Sequence, residues 1–429
     1  MKTKVICSLL FLLSFGHVSA RPDVRVSKEQ KKAAAELATL QKKLRKTPSD
    51  TQLRVRLATL LLSQENYDAA LAQFDSALAL QPNLTAAKFG RAEVKFLAGH
   101  WEEGARGYLD VLDAAETDQY VATIAERVGA PYAIRSITTT PGENMKARFS
   151  ADGRSLVFQS NRDGNLEIYR SLPHGSQERR LTYDSAADES PCFSPDGMWI
   201  AFVRATSAAG REVYLMDALT GDDPVCVSRH RADDWHPTFS PKGDQLAFVS
   251  DRDDLKTTEI TERQSDIFLF SLTDSSLARF TQGFGDKSAP SFTPEGAALV
   301  YVNNVNGAFD IFEQRLGTTQ PISLIAKTES KGAPQISPNG KQIVYFEKRD
   351  NNLDLYLYDR DQRRTQRLTC DPSLDSFPAF SPDGNEIYFT SNRSGKYQIY
   401  AMHLQTPILR TELMTALQRL LAQQKLSLQ

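Results

Sequence analysis

The chain of 429 residues is poor in the side chains that most often carry out chemistry. It contains 4 cysteines and 6 histidines, without a C-x-x-C pair, an H-E-x-x-H motif or a G-x-S-x-G elbow. Apart from Cys7 near the N-terminus, an odd number of cysteines remains, which argues against a disulfide framework: Cys192, Cys226 and Cys370. We therefore expect no catalytic residue, no metal site and no cofactor.

The chain also lacks an excess of charge and has a single long apolar run. Its 51 basic and 53 acidic residues give no indication of a nucleic-acid or anionic-membrane binder. The apolar run Val5–Phe15 follows two lysines and precedes Val18-Ser19-Ala20, a small-x-small cleavage signature. Because this run is too short to span a bilayer, it predicts a secretory signal peptide cleaved after Ala20. We expect a periplasmic location, with the cell exterior as the alternative.

Residues 27–130 have helical patterning and an internal repeat. Pro48 and Pro82 lie 34 residues apart, the period of the tetratricopeptide repeat (TPR). The segment 51–84 resembles one such helix pair, and 85–118 resembles a second, less regular one. Residues 29–46 are predicted to form the second helix of a truncated leading repeat, and 118–128 a closing helix.

Helical arrays of this type often bind peptides on the face formed by the first helix of each pair. Here that face would carry an apolar partner-binding groove at Val55, Leu62, Phe89 and Phe96. The alternative is that the two phenylalanines pack against the rest of the chain.

Residues 131–405 show a different repeat, a turn signature that occurs six times. The turns are spaced by 44, 46, 53, 44 and 44 residues, and four short strands fit into each interval. This is the period of β-propeller blades. The turns begin at Ser150, Ser194, Ser240, Thr293, Ser337 and Ser381.

The ends of this domain predict how the ring closes. The sixth unit lacks a final outer strand, whereas 133–139 carries the corresponding motif ahead of the first unit. We therefore expect 133–139 to complete the last blade, giving six blades closed by strand exchange and no open sheet edge. The predicted fold class is a multidomain α plus all-β protein, with helical repeats, a six-bladed propeller and a C-terminal helix over 406–429.

The repeated units resemble those of the TolB-type, WD40-like propellers of the bacterial envelope, over about 131–403. The resemblance implies the propeller fold and an envelope protein as partner, since TolB is a periplasmic partner of a peptidoglycan-associated lipoprotein. Helical repeats stand here where TolB has a mixed α/β domain. Related propellers also cap serine peptidases or form pectate-fragment lyases, so the fold leaves the function open.

One face of the propeller is predicted to bind a partner. A ring of residues, three positions before each expected inner strand, lies at the channel mouth with an acidic and a basic side: Asn144, Asp188, Asp234, Lys287, Lys331 and Asp375. The same face should receive Arg162, Arg252, Arg349 and Arg393, an insertion over 251–265, and Trp235 with His236. The alternative is that these arginines and aspartates pair with each other and brace neighbouring blades.

The only cluster with metal-ligand chemistry is His230 and His236 with Asp233 and Asp234, and polar rim residues are the simpler interpretation. In the tail, Thr406-Pro407 is predicted to cap a helix whose stripe is Leu409, Leu413, Leu417 and Leu420. The sequence thus favours an exported adaptor that binds an envelope protein or peptide, without nucleic acid or membrane insertion. The competing class is a propeller enzyme, lyase-like or peptidase-like, with its site at the channel mouth.

Overall fold

The structure is a computed structural model that describes residues 28–114, 117–206, 210–252, 264–305, 307–326, 329–349 and 351–427. The predicted signal peptide and most of the insertion over 251–265 lie outside the described residues. Two compact units divide the chain, one ending at Gly99 and the other beginning at His100. None of the described helices has the length and apolar character required to cross a membrane.

The first unit consists of helices that coincide with the predicted segments: α1 (Lys28–Lys46), α2 (Thr51–Ser63), α3 (Tyr67–Leu80) and α4 (Thr85–Leu97). Helix α2 begins after Asp50, whose side chain accepts a hydrogen bond from the Leu53 backbone N–H at 2.9 Å. Small residues let the helices approach closely. The Phe74 ring lies where a Cβ on Gly90 would stand, only 2.1 Å from the nearest ring carbon. Phe74 is the largest side chain of this buried core.

The second unit begins with α5 (Trp101–Leu112) and α6 (Asp118–Val128), after which the chain turns from helix to strand as predicted. Its sheets contain β1 (Tyr132–Ser136), β2 (Asn144–Phe149), β3 (Leu156–Ser160), β4 (Glu167–Ser171), β5 (Arg179–Arg180), β6 (Ala187–Phe193), β7 (Trp199–Thr206), β8 (Gly210–Asp217), β9 (Val225–Cys226), β10 (Asp234–Phe239), β11 (Gln245–Ser250), β12 (Asp266–Ser271), β13 (Leu277–Arg279), β14 (Asp286–Phe292), β15 (Ala298–Asn304), β16 (Phe309–Arg315), β17 (Ile322–Ile325), β18 (Lys331–Ile336), β19 (Gln342–Arg349), β20 (Asn352–Asp359), β21 (Arg364–Arg367), β22 (Asp375–Phe380), β23 (Glu386–Ser391) and β24 (Gln398–Pro407).

These strands form six antiparallel sheets of four, which are the blades of the predicted propeller. Blade 1 is β2–β5, blade 2 is β6–β9, blade 3 is β10–β13, blade 4 is β14–β17 and blade 5 is β18–β21. Blade 6 has the order β1-β24-β23-β22, so the strand from the N-terminal side of the ring is its outermost strand. Ile134 pairs with Met402 and Ser136 with Tyr400, which confirms the predicted closure.

The six turn signatures connect the first and second strands of each blade. Their glycines have φ between 69° and 74°, in the left-handed region that glycine adopts without steric cost. In blade 2 the Ser194 hydroxyl accepts a hydrogen bond from the Trp199 N–H at 2.9 Å and donates one to Asp196 at 2.5 Å. The turns are therefore held by local hydrogen bonds.

The C-terminal helix α7 (Arg410–Ser427) begins later than predicted. Thr406 and Pro407 end strand β24, where Pro407 pairs with Tyr132, so the predicted helix cap there is wrong. The buried leucines of α7 are Leu413, Leu417 and Leu421, whereas Leu409 precedes the helix and is exposed. Helix α7 packs on α5 and α6, and Arg410 donates a 2.8 Å hydrogen bond to the Ala114 carbonyl beyond the end of α5.

Candidate functional site

The inner strand of every blade contains a bulge at the same position. Its register with the second strand shifts in all six blades, which indicates one extra residue on the inner strand. The residue at the bulge has positive φ, between 47° and 56°, although it is never glycine. We call these the bulge residues: Lys146, Ser190, His236, Ala289, Ala333 and Phe377.

The bulge residues line a cavity of about 1100 Å³ on the propeller axis, to which the inner strands of all six blades contribute. Their chemistry divides it into two sectors. Blades 1 to 3 contribute Lys146, Ser190 and His236, whereas blades 4 to 6 contribute two alanines and Phe377. At the bulge positions the cavity wall is therefore polar in blades 1 to 3 and apolar in blades 4 to 6, and binding pockets commonly mix the two.

The predicted rim ring lies two positions before the bulge residues, at or beside the start of each inner strand. Each inner strand begins earlier than predicted, because it pairs with the second strand before the bulge as well as after it. All six ring residues are buried, with at most 2% of their surface exposed. We call them the anchor residues: Asn144, Asp188, Asp234, Lys287, Lys331 and Asp375.

The acidic anchors pair with arginines of their own blade. Asp234 accepts hydrogen bonds from Arg252 at 3.0 and 3.1 Å, and Asp375 accepts them from Arg393 at 2.9 and 3.0 Å. Asp188 is bound at 2.8 Å through both oxygens by Arg204, which the sequence analysis did not single out. Burial raises the pKa of Asp188, Asp234 and Asp375, and the arginines offset part of this rise.

The other three anchors also connect to the preceding blade. Lys287 lies 3.2 Å from Asp266 of blade 3, and Lys331 lies 3.1 Å from Asp310 of blade 4. Asn144 accepts a 2.6 Å hydrogen bond from Arg162 and donates one to Gln398 of blade 6 at 2.8 Å.

The aspartates and arginines thus pair with each other, as the alternative interpretation expected, but each pair lies within one blade. The contacts that brace neighbouring blades come from Lys287, Lys331 and Asn144 instead. Arg349 pairs differently, with Glu347 at 2.8 Å. These side chains shape the mouth, and their charges are largely neutralised before a partner arrives.

Three members of the predicted set line the cavity: Trp235, His236 and Lys331. The His236 ring nitrogen Nδ1 lies 3.0 Å from the Ser288 hydroxyl. Burial lowers the pKa of His236 to about 3, with further lowering from the nearby charges of Lys146, Arg148 and Arg211. The imidazole is therefore neutral at physiological pH and lies in a positive field.

The three basic residues near His236 were missed by the sequence analysis. Lys146 is a bulge residue, and Arg148 lies two positions further along β2. The corresponding positions of the other inner strands hold Cys192, Thr238, Ser291, Gln335 and Ala379. Comparison of the six units at this position could have identified Arg148 as the exceptional charged residue.

The remaining predicted residues lie elsewhere. His230 Nδ1 accepts a hydrogen bond from the Ala232 N–H, and the Asp234 carboxylate accepts one from Arg252. Across the described part of the chain, the His, Cys, Asp and Glu side chains form no group of three or more that could hold a metal ion. In the first unit, Val55 and Leu62 are half-buried against the helical core, and Phe89 and Phe96 are half-buried on α4. The groove there stays a prediction.

A family model described as the TolB β-propeller domain matches residues 185–351 and 310–416, together more than half of the chain. The chain belongs to the TolB β-propeller family. Relatives in this family include a TolB homologue of Chlorobium luteolum, 28% identical over 41% of this chain and 37% of its own length. The Tol-Pal system protein TolB of Nitratidesulfovibrio vulgaris is 27% identical over 28% of this chain and 26% of its own length.

An uncharacterised protein of Agrobacterium fabrum is 28% identical over 36% of this chain and 53% of its own length. The chain therefore spans about a quarter to a half of these curated relatives. Among solved structures, TolB of Acinetobacter baumannii is 18% identical and covers 68% of this chain and 71% of its own, with a TM-score of 0.48. An oligogalacturonate lyase of Vibrio parahaemolyticus is 15% identical and covers 63% of this chain and 93% of its own, with a TM-score of 0.47.

Proposed function

We propose that this TolB-family protein is a periplasmic interaction scaffold whose propeller channel binds a segment of another envelope protein. The observation that carries the proposal is the cavity of about 1100 Å³, to which all six blades contribute. Its wall combines an aromatic residue, Trp235, with basic, neutral polar and apolar side chains. Protein-binding sites concentrate their energy in such a partly desolvated, mixed surface.

The anchors support this proposal because they make the mouth rigid. Their charges are satisfied by named partners in the same or the preceding blade, so the backbone around the cavity is held before binding. A preorganised site loses less conformational entropy when it binds its partner. Relatives named as TolB, one of them as a Tol-Pal system protein, favour an envelope partner. The predicted signal peptide favours export.

Site-specific photo-crosslinking in the cell envelope tests the proposal. Trp235 lines the channel, whereas Trp199 lies at the opposite end of the strands, directly after a turn, with 44% of its surface exposed. A benzophenone amino acid replaces one tryptophan at a time in the full chain. We expect a discrete protein adduct from position 235 that is absent from position 199.

Equal adducts from both positions, or none from position 235, would contradict a protein partner in the channel. If position 235 gives no protein adduct while the purified protein cleaves an oligosaccharide or a peptide, the enzyme interpretation replaces the scaffold.

The groove at Val55, Leu62, Phe89 and Phe96 is proposed as a second contact. The same label at Leu62 should then give an adduct, with Ser63 at the solvent-exposed end of α2 as the control position.

A further inference from the structure

Arg148 differs from the arginines that bind the anchor residues. It lies on β2 and lines the cavity, and its guanidinium donates one hydrogen bond, at 2.9 Å, to the neighbouring Ala147 carbonyl. Among the described residues, no carboxylate lies within ion-pair distance of it, whereas Arg204 and Arg252 each bind an aspartate. Burial lowers the pKa of Arg148. A half-buried guanidinium with most of its donors unused is an incomplete site.

The surroundings of Arg148 have an excess of positive charge. Lys146 Nζ lies 3.0 Å from Glu189 Oε2, and Arg211 Nε lies 3.4 Å from Glu189 Oε1. One carboxylate therefore forms ion pairs with two cations. The charged side chains described along the cavity wall comprise five basic and three acidic ones, and the three acidic ones are Asp233, Asp251 and Asp286. Each of these aspartates already accepts a hydrogen bond from a backbone N–H of a loop or strand end.

The chemistry around Arg148 fits a carboxylate. The planar guanidinium can bind both carboxylate oxygens, and the Ser190 hydroxyl and neutral His236 ring nearby add uncharged polar groups. Cys192 and Phe149 make part of the same wall apolar. Because transfer of a doubly charged phosphate into such surroundings costs more than transfer of a single charge, a carboxylate is favoured over a phosphate.

The size of the cavity indicates how the carboxylate is presented. Its volume of about 1100 Å³ exceeds the upper end of the range of about 300–1000 Å³ that is usual for small-ligand pockets. Phe346, Phe377 and Ala333 of blades 5 and 6 offer apolar surface to the aliphatic part of a longer ligand, and the Phe377 ring centroid lies 5.2 Å from Lys146 Nζ. A peptide segment uses the basic and the apolar surfaces at once.

We propose that the channel recognises an acidic peptide segment of its partner, with an Asp or Glu carboxylate bound to Arg148 between Lys146 and His236. This inference rests on the proposed function, and it names the chemistry of the segment that the channel selects.

Selection from a random 12-residue phage-display library tests this chemistry. The full-length protein, the Arg148→Gln variant and the Arg154→Gln control are used as targets, since Arg154 is highly exposed in the turn of blade 1. We expect the wild type and the control to enrich peptides with Asp or Glu at one fixed position. The Arg148→Gln variant should lose this preference.

A double-mutant cycle then measures the coupling energy between Arg148 and the peptide carboxylate. The best peptide and its Glu→Gln version are titrated against each protein by fluorescence anisotropy. For the wild type we expect the Glu→Gln change to weaken binding at least 10-fold, and for Arg148→Gln the two peptides should bind within 2-fold of each other. The peptide substitution alone tests the inference on the wild type, so the result does not depend on the folding of the variant.

The outcomes separate this inference from the proposed function. If the selected peptides lose binding on Trp235→Ala but carry no acidic preference, the channel is a peptide site and the carboxylate inference is wrong. If Trp235→Ala has no effect on any selected peptide, the proposed function fails as well. If no peptide is selected while galacturonate or citrate binds in an Arg148-dependent way, the ligand is a small carboxylate. The inference of an acidic peptide is then wrong.

Discussion

The anchor residues and the bulge residues lie two positions apart on the same six strands, yet their environments differ, although the anchor Lys331 also reaches the cavity. The anchors are mostly charged, and all are buried and bound to partners within the ring. The bulge residues range from Lys146 to Phe377 and line the cavity. Charge at the anchor position therefore supports the scaffold, whereas the side chain at the bulge position varies from blade to blade along the cavity wall.

This comparison changes the interpretation of the charged ring at the channel mouth. A ring of free charges would attract a partner over a distance, but buried pairs mainly hold the backbone in place. The residues that remain available to a partner are those that line the cavity, at the bulge and on either side of it. Four substitutions, ordered from the largest expected effect to the smallest, test the difference.

Asp188→Ala should destabilise the propeller by about 3–5 kcal/mol, because it leaves the buried guanidinium of Arg204 without its main counter-charge. Urea unfolding followed by circular dichroism measures the change. Asp184→Ala is the matched control, since Asp184 touches the same arginine at 3.3 Å from a more exposed position. It should cost about 1 kcal/mol or less. Equal losses from the two variants would contradict a structural role specific to the anchor.

Asp354 in blade 5 is a buried carboxylate whose pairing is incomplete. Its Oδ1 and Glu347 Oε2 accept no hydrogen bond from any residue that the structure describes, and burial raises the pKa of Asp354 to about 7 against the attraction of Arg367. The folded state therefore holds a proton that the unfolded state, with a pKa near ~3.9, releases. The free energy of unfolding should fall as the pH rises from about 4 through 7.

Asp354→Asn should reduce this fall by about 1–3 kcal/mol, because the variant has no proton to lose at this position. Urea unfolding at intervals of pH measures both curves. If the free energies of unfolding of the wild type and the variant change with pH in parallel, the prediction that the folded state raises the pKa of Asp354 is wrong.

Gly243→Ala should cost about 1–2 kcal/mol, the usual cost of the left-handed conformation for an L-residue. Gly243 has φ +74°, and an added Cβ would meet Pro195 at an ordinary contact distance of 3.5 Å. The cost therefore reports the backbone conformation alone. Lys242→Ala in the same exposed turn is the control and should change stability by less than about 0.5 kcal/mol. The same unfolding assay distinguishes them.

Arg148→Gln should change the free energy of unfolding by less than about 0.5 kcal/mol, because removal of the guanidinium leaves no buried carboxylate without its counter-charge. Thermal and urea unfolding measure this change beside Asp188→Ala. A loss comparable to that of Asp188→Ala would show that Arg148 supports the scaffold, as an anchor does.

Local patterns in the sequence predicted the elements of the fold well. The turn glycines of the six units have the expected positive φ, and the helices over 29–46 and 118–128 are present. The C-terminal helix was placed too early because Thr406-Pro407 resembles a cap. Instead, Pro407 pairs with Tyr132 in blade 6, a contact between distant parts of the chain that local preference does not contain.

The site was predicted less completely. Trp235 and His236, predicted to bind a partner, line the cavity, whereas the anchors, predicted to bind a partner at the channel mouth, are buried. Arg204 was missed because it lies on a strand, 16 residues after its partner, whereas Arg252 and Arg393 follow theirs by 18 residues in turns. Arg148 was missed because its significance depends on the absence of a carboxylate partner among the described residues.

The sequence by itself determined the number of blades, the way the ring closes and the position of the turns. These features depend on short repeated signals, such as glycine at a left-handed position and alternating apolar residues, that act within a few residues. Only the tertiary structure decided which charges are neutralised and which face the cavity. That outcome depends on the bulge in each inner strand and on the neighbouring blade, which together bury Asp188 and leave Arg148 in the channel wall.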